Sequence, residues 1–445
     1  MGAASSARPT PTPDKGYSIT VDESVAPWSC ASESEVTSTA AEAPSRRASA
    51  PAGTAGDRRA SAGARRASGG TGGGGSKWAG ARGAVRGARA FGQAGSALAA
   101  RRADVRDVGR NGWIARHCVL GPRTHRTVDR FDPIRIIGRG VMGEVSLARC
   151  RKDGTYVALK AVSKGYVAKH NDERHLRNER DILAQLRHPF VVRLFGTFQD
   201  AQRIYFVLEY VAGGELFAKL QGHRCLGPNA ATFYLAEILA ALAHVHMAGY
   251  AYRDLKPENV LLDPEGHCRL VDFGFATAPP DGPDGLMRTN CGTPAYLSPE
   301  QLSRKKTGGY TRIVDWWAFG CVAYELMCGH TPFCKDHAAD SHYAIYTRIV
   351  RGRISFPRHL AATPRGLVRE LLRADSGKRL TDAASIQAAD FFQHVDFVAV
   401  NQKRVVPPQK PLLLPIGDSS CFEEYRPRDR PEDTLDSSKC NFAGF

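Results

Sequence analysis

Residues 252–259 read Tyr252-Arg253-Asp254-Leu255-Lys256-Pro257-Glu258-Asn259, a run with five charged or amide side chains in eight positions. An Asp or Asn in a loop ordinarily forms a turn or caps a helix. That reading would need no companions elsewhere, yet this run has three, in a fixed order along the chain. Upstream stand Gly138-x-Gly140-x-x-Gly143-x-Val145 and Val157-Ala158-Leu159-Lys160, and downstream stands Asp272-Phe273-Gly274.

The glycines of 138–143 allow backbone N–H groups to approach phosphate oxygens that a Cβ would hold away. A G-x-G-x-x-G run also opens dinucleotide-binding folds, but those need a helix directly after it. Here the pattern from Ile134 to Leu147 reads as two strands joined by a Gly-rich turn, and Thr155 to Val162 reads as a third. Lys160 lies on that third, otherwise apolar strand and needs anionic partners. Glu179 supplies one, on an amphipathic helix expected over Asp172 to Leu186.

These four motifs resemble the signature set of the protein kinases, whose catalytic loop reads H-R-D-L-x-x-x-N; here Tyr252 replaces the histidine. The resemblance implies an α+β fold of two lobes, a small β-rich one with one key helix and a large helical one. It implies ATP and Mg²⁺ as cofactors. Asp254 would orient the substrate hydroxyl and accept its proton, Lys256 would neutralise charge on the transferring phosphoryl group, and Lys160 with Glu179 would hold the α- and β-phosphates. Asn259 and Asp272 would ligate the metal, a donor set suited to Mg²⁺. The nucleotide would lie against Ile137, Gly138, Arg139, Gly140, Val141, Met142, Gly143, Glu144, Val145, Ala158, Lys160, Glu209, Val211, Glu215, Leu261 and Phe422. Lysine at 256 suits serine/threonine rather than tyrosine kinases. Cys291 to Glu300 looks like the end of an activation segment, with Glu300 expected to pair with Arg379. Leu183, Leu194, Tyr252 and Phe273, anchored by Asp315, would form the stack that links the lobes.

Within the kinases, the AGC group gives the closest resemblance, above all the cyclic-AMP-dependent catalytic subunits, over about Asp129 to Phe445. The hinge run Leu208 to Phe217, the Asp272 to Ala276 run, Phe422-Glu423-Glu424-Tyr425 and the ending Asn441 to Phe445 carry it. It implies that Glu215, Glu258 and Glu325 bind arginines two and three positions before a target serine, and carboxylates bind guanidinium bidentately. It also implies a separate cyclic-nucleotide-binding regulatory subunit as partner, and an activating phosphate on Thr289 paired with Arg253 and His175. Thr277, Asn290 and the Pro279-Pro280 stretch depart from the family pattern nearby.

The rest of the chain is read from composition. Of the net charge of +16, more than half lies before Asp129, where nineteen Lys/Arg face nine Asp/Glu. Residues 1–128 read as a disordered, Ala/Gly/Ser/Arg-rich tail, with a weak docking helix over Ala97 to Val119. Residues 131–392 form the expected kinase domain and 393–445 a tail wrapping over it. The first tail holds Arg46-Arg47-Ala48-Ser49, Arg58-Arg59-Ala60-Ser61 and Arg65-Arg66-Ala67-Ser68, which makes Ser49, Ser61 and Ser68 candidate autophosphorylation sites or a tethered competitor. Met1-Gly2-Ala3-Ala4-Ser5-Ser6 fits N-myristoylation of Gly2, which gives only reversible membrane binding. Eleven scattered cysteines without a C-x-x-C pair fit reduced thiols. No stretch is expected to span a membrane, so a cytoplasmic or nuclear location is expected. Two alternatives stand beside this reading. One is a cyclic-GMP-dependent-like or other AGC kinase controlled by its own tails; the other is a nucleic-acid-binding scaffold using the basic tail.

Overall fold

The computed structural model describes residues 128–223, 225–334, 340–413, 417–425 and 442–445. The expected helix over 97–119, the three tail serines and Gly2 lie outside these residues.

The first lobe is a five-stranded antiparallel sheet: β1 (Phe131–Arg139), β2 (Gly143–Cys150), β3 (Tyr156–Ser163), β4 (Leu194–Gln199) and β5 (Arg203–Glu209), in spatial order β1-β2-β3-β5-β4. The β1–β2 turn is closed by Gly140 N donating to Gly143 O at 2.9 Å. Gly143 is obligatory there, because a Cβ would fall 1.8 Å from the carbonyl oxygen of Ala161 on β3. The register sets Lys160 opposite Val145 on one side and Phe206 on the other. That pairing fixes where the lysine enters the cleft.

Two helices follow β3. α1 (Lys164–His170) is capped by Ser163, whose Oγ accepts from Tyr166 N at 3.2 Å, and it ends at Asn171 in the left-handed region. α2 (Glu173–Gln185) turns Leu176, Glu179, Ile182 and Leu183 inward, at helical spacing. The reading of the sequence anticipated α2 but neither α1 nor β4.

The second lobe is built on α3 (Leu216–His223), α4 (Pro228–Met247), α5 (Val314–Cys328), α6 (His342–Arg351) and α7 (Ala362–Leu371), with the hairpin β6 (Val260–Leu262) and β7 (Cys268–Leu270) facing the cleft. α4 and α5 are apolar on nearly every face and are buried on nearly every face. Contrary to expectation, α4 is long and apolar enough to cross a membrane; 72% of its most apolar stretch is buried inside the fold, so its surface is already occupied by core. One apolar cluster runs from α2 and β5 through Tyr252 and Phe273 to Trp317. The lobes therefore share a core along their back edge, which leaves the cleft between them at the front.

Candidate active site

A cavity of about 360 Å³ opens between the lobes. Its roof is the β1–β2 turn, its back wall carries Lys160 and Glu179, and its floor is Leu261 with Asn259 and Asp272. Lys160 Nζ lies 2.7 Å from Glu179 Oε1 and 3.5 Å from Asp272 Oδ1. Burial disfavours the charged lysine, but the two carboxylates overcome this and hold its proton more tightly than usual. The same ammonium, outweighing burial, keeps the Asp272 carboxyl below its ordinary value. A fixed positive charge thus faces the cavity, held by acidic groups rather than by water.

The catalytic loop is strained into position. Arg253 sits at φ 70°, a conformation that costs a non-glycine residue energy. The wholly buried Asp315 of α5 holds it: Oδ1 accepts from Arg253 N at 2.7 Å, and Oδ2 accepts from Tyr252 N at 2.8 Å. His246 of α4 lies 2.8 Å from the same Oδ2. Tyr252 meets Phe273 edge-to-face at 5.1 Å and donates to Val271 O at 2.5 Å. The loop is therefore tied both to the main helix of the large lobe and to the strand end that delivers Asp272.

Asp254 is buried, with both carboxylate oxygens engaged. Oδ1 accepts from Thr293 Oγ1 at 2.8 Å and Oδ2 from Asn259 Nδ2 at 2.9 Å. Lys256 Nζ donates to Thr293 Oγ1 at 3.1 Å and lies 3.7 Å from Asp254 Oδ2. Burial pushes the Asp254 carboxyl up to about 6, against the pull of Lys256 and the Thr293 hydrogen bond. A base poised near neutrality suits proton acceptance from a hydroxyl. Thr293 lies inside the Cys291–Glu300 run but was assigned no role from sequence; only the fold shows that it joins Asp254 to Lys256.

The donor set fits nucleotide and Mg²⁺. Both Nδ2 contacts of Asn259 go to Asp254, which leaves its amide oxygen as the atom that would face a metal ion. Asp272 is ionised. Among the described residues no three His, Cys, Asp or Glu side chains form a closed metal cage. Two protein oxygens with phosphates and water are what Mg²⁺ ordinarily takes. A Cβ at Gly140 would make only ordinary van der Waals contact, with Gly143 O at 3.8 Å. Of the residues expected at the nucleotide, all but Glu144 line the cavity. Glu144 alternates outward on β2 and pairs with Arg139 at 2.9 Å. Leu176, Leu183, Val192, Leu208, Tyr210, Val271 and Phe275 also line it. Phe422 enters from the C-terminal tail, 6.1 Å from Tyr210, with its carbonyl bound by Arg135 at 3.0 Å. The tail crosses the hinge at Gly214 (φ 73°), where a Cβ would fall 2.6 Å from Cys421 O.

A second, acidic cluster borders the site. Glu325 of α5 is 3% exposed and accepts from Tyr296 Oη at 2.6 Å. Burial raises its carboxyl to about 8, the neighbouring Glu258 adding to the effect and Tyr296 opposing it. Burial, with Glu258 and Glu423 nearby, raises Glu215 to about 7. Oε2 of Glu258 is buried without a hydrogen-bond partner. The carboxylates of Glu215 and Glu325 thus crowd around Glu258, and the pull of Lys256 on Glu215 does not offset them.

The activation segment is held by apolar packing and by hydrogen bonds from Arg253 and Tyr310. Met287 is buried with Ala251, Tyr310 and Val314, and Met287 and Tyr310 exchange backbone hydrogen bonds of 2.8 and 2.9 Å. Arg253 Nη1 donates to Tyr310 Oη at 3.1 Å, Arg253 Nε donates to Phe275 O at 2.7 Å, and Tyr310 Oη donates to Thr289 O at 2.7 Å. Arg253 therefore reaches Thr289 through Tyr310, whose role sequence reading did not foresee. His175 pairs instead with Asp172 at 3.2 Å. Glu300 and Arg379 form the expected pair, and it is bidentate, at 2.6 and 2.9 Å, with the guanidinium over the Trp317 ring.

The final residues fold back onto the small lobe. Phe445 is buried 6.4 Å from Phe206, with Arg177 and Arg180 over its ring; Gln199 Nε2 donates to Phe442 O at 2.8 Å.

A two-lobed fold with a lysine–glutamate pair, a buried aspartate bonded to Asn259 and Thr293, and the oxygen donors of Asn259 and Asp272 in one cleft has the arrangement of a protein kinase. Residues 131–394 match the family model described as "Protein kinase domain". The chain belongs to that family, among the serine/threonine kinases of the AGC group. It is 39% identical over 303 residues to the human cAMP-dependent protein kinase catalytic subunit PRKX, covering 67% of this chain and 82% of that protein. It is likewise 39% identical to a cAMP-dependent protein kinase catalytic subunit of Dictyostelium discoideum, covering 69% of this chain but only 46% of that relative's length. To the zebrafish (Danio rerio) serine/threonine-protein kinase Sgk1 it is 39% identical, covering 68% and 70%.

Proposed function

We propose that this protein transfers the γ-phosphoryl group of ATP to serine and threonine hydroxyls of proteins, choosing those preceded by paired arginines (R-R-x-S/T). The observation that carries the specificity is the buried, unpartnered Oε2 of Glu258 within the Glu215–Glu258–Glu325 cluster beside Asp254. A protein does not bury a polar atom unsatisfied without cost, and an incoming guanidinium supplies both hydrogen bonds and the missing charge. ATP, when bound with Mg²⁺, supplies the transferred group. Lys160 orients its phosphates, Asn259 and Asp272 hold the metal, Asp254 takes the hydroxyl proton and Lys256 offsets the developing charge.

Several relatives bear the name of a cAMP-dependent catalytic subunit, which supports a separate cyclic-nucleotide-binding regulatory subunit as partner. A phosphate on Thr289, a myristoyl group on Gly2 and a cytoplasmic or nuclear location complete the reading. The decisive assay compares the peptides R-R-x-S-Φ and A-A-x-S-Φ (Φ apolar). Phosphorylation of the first at a much higher kcat/KM is expected, and equal rates would remove the specificity.

A further inference from the structure

Six arginines of the N-terminal region stand in pairs, each pair separated by a single alanine from a serine: Ser49, Ser61 and Ser68. In the acidic cluster of the active site Lys256 pulls on Glu215, yet Oε2 of Glu258 is left without a hydrogen-bond partner. We propose that these three serines are modification sites, phosphorylated intramolecularly by this chain's own active site. The inference rests on the arginine preference proposed above and extends it to a substrate within the same chain.

Charge complementarity argues for this occupant. Glu258 buries an unpartnered carboxylate oxygen, and Glu215 and Glu325 are pushed up by burial and by their carboxylate neighbours. Such a cluster favours a ligand that brings two guanidinium groups at adjacent positions, because Arg binds carboxylate through a rigid fork of donors. Each R-R-A-S run brings both, with a hydroxyl two residues beyond the second arginine. The R-R-A-S serine is then the group presented to Asp254, which makes the segment a substrate and not a blocking competitor.

Reach does not prevent it. Fifty-nine residues lie between Ser68 and Val128, where the described fold begins, and a chain of that length spans up to about 200 Å when extended. Tethering also presents the segment at an effective concentration on the order of millimolar.

The step balances as an ordinary phosphoryl transfer. Serine Oγ bonds to the γ-phosphorus, the bond from that phosphorus to the β,γ-bridging oxygen breaks, and its electron pair leaves with ADP. The serine proton passes to the Asp254 carboxylate. Each phosphate adds about −1.5 to −2 charge. Three of them cancel roughly half of the tail's positive excess.

The test uses the full-length protein, dephosphorylated, then given Mg²⁺ and ATP and mapped by mass spectrometry. Three enzymes are compared: wild type, Asp254→Ala, and a variant with Arg46, Arg47, Arg58, Arg59, Arg65 and Arg66 all changed to Ala. The same preparations are assayed on a free R-R-A-S peptide. Expected are phosphates on Ser49, Ser61 and Ser68 in wild type, none in Asp254→Ala, and labelling at least about tenfold slower in the arginine-free variant, whose activity on the free peptide is no lower than that of wild type. The labelling rate constant should hold constant over about a hundredfold dilution, as an intramolecular reaction requires. Unmodified tail serines in an enzyme that phosphorylates the free peptide would overturn this inference alone. So would labelling that scales with enzyme concentration, or labelling equally fast without the arginines. Failure on the free peptide itself would overturn the arginine preference beneath it.

Discussion

Replacing Glu325 by Gln tests whether the acidic cluster reads arginine, and the structure sets the size and pH dependence of the effect. Glutamine keeps the volume and the hydrogen bond from Tyr296 Oη but removes the charge. Truncating one partner of a buried, hydrogen-bonded charge pair costs about 2–5 kcal/mol. Taking about 3 kcal/mol, the fully ionised Glu325 is worth roughly 150-fold in kcat/KM. Its carboxyl is raised to about 8, however, by burial first and by Glu258, with Tyr296 pulling the other way. At pH 7 only about a tenth of the free enzyme carries the charge, and ionising the rest costs about 1.4 kcal/mol, leaving roughly a 15-fold advantage. At pH 8.5 about three quarters is ionised and the advantage approaches 120-fold. Glu215, raised to about 7, titrates in both enzymes and cancels from the ratio. The assay is steady-state kinetics of wild type and Glu325→Gln on R-R-x-S-Φ and on its Ala-Ala counterpart at both pH values. The loss should grow about eightfold from pH 7 to pH 8.5 on the arginine peptide and stay near unity on the other. An equal loss on both peptides, or a loss flat with pH, refutes the reasoning. Stability offers an independent check. A carboxyl raised from 4.5 to about 8 contributes stability below pH 4.5 and loses it as pH rises through 8, since only the folded form must keep the proton. The melting temperature of Glu325→Gln should therefore gain on wild type over that range.

Lys160→Met leaves Glu179 and Asp272 without their shared cation, so kcat should fall by about 10²–10³ and KM for ATP should rise, measured with the best peptide. Phe445→Ala removes a ring buried against Phe206 and under two arginines. Fully buried Phe→Ala changes cost about 3–5 kcal/mol, and a tail able to detach should lose no more than the lower figure. Thermal melting should fall by several degrees, with faster hydrogen exchange in β4 and α2; an unchanged melt would mean that the tail does not brace the lobe.

Most of the chemistry was legible because it lies in short runs whose spacing carries meaning. Asp254 and Asn259 are five residues apart, and Lys160 stands on a strand with apolar neighbours. What escaped was whatever depends on segments meeting in space. Tyr310 joins Arg253 to Thr289 across the large lobe, and nothing local to Tyr310 marks it for that task. Thr293 reaches Asp254 only because the activation segment folds back over the loop. Glu144 sits inside the glycine-rich run, yet strand alternation turns it out of the cavity toward Arg139.

The run Tyr252 to Asn259 by itself determined which groups are on hand for the proposed proton transfer, because residue type and order are fixed by covalent connection. Its geometry came from elsewhere. Arg253 keeps a costly positive φ only because a carboxylate sixty-two residues away binds its backbone N–H. Asp254 is poised near neutrality only because the fold excludes water from around it. Burial and desolvation are properties of three-dimensional packing, so the pKa values and the unsatisfied acidic cluster were decided by the tertiary structure alone.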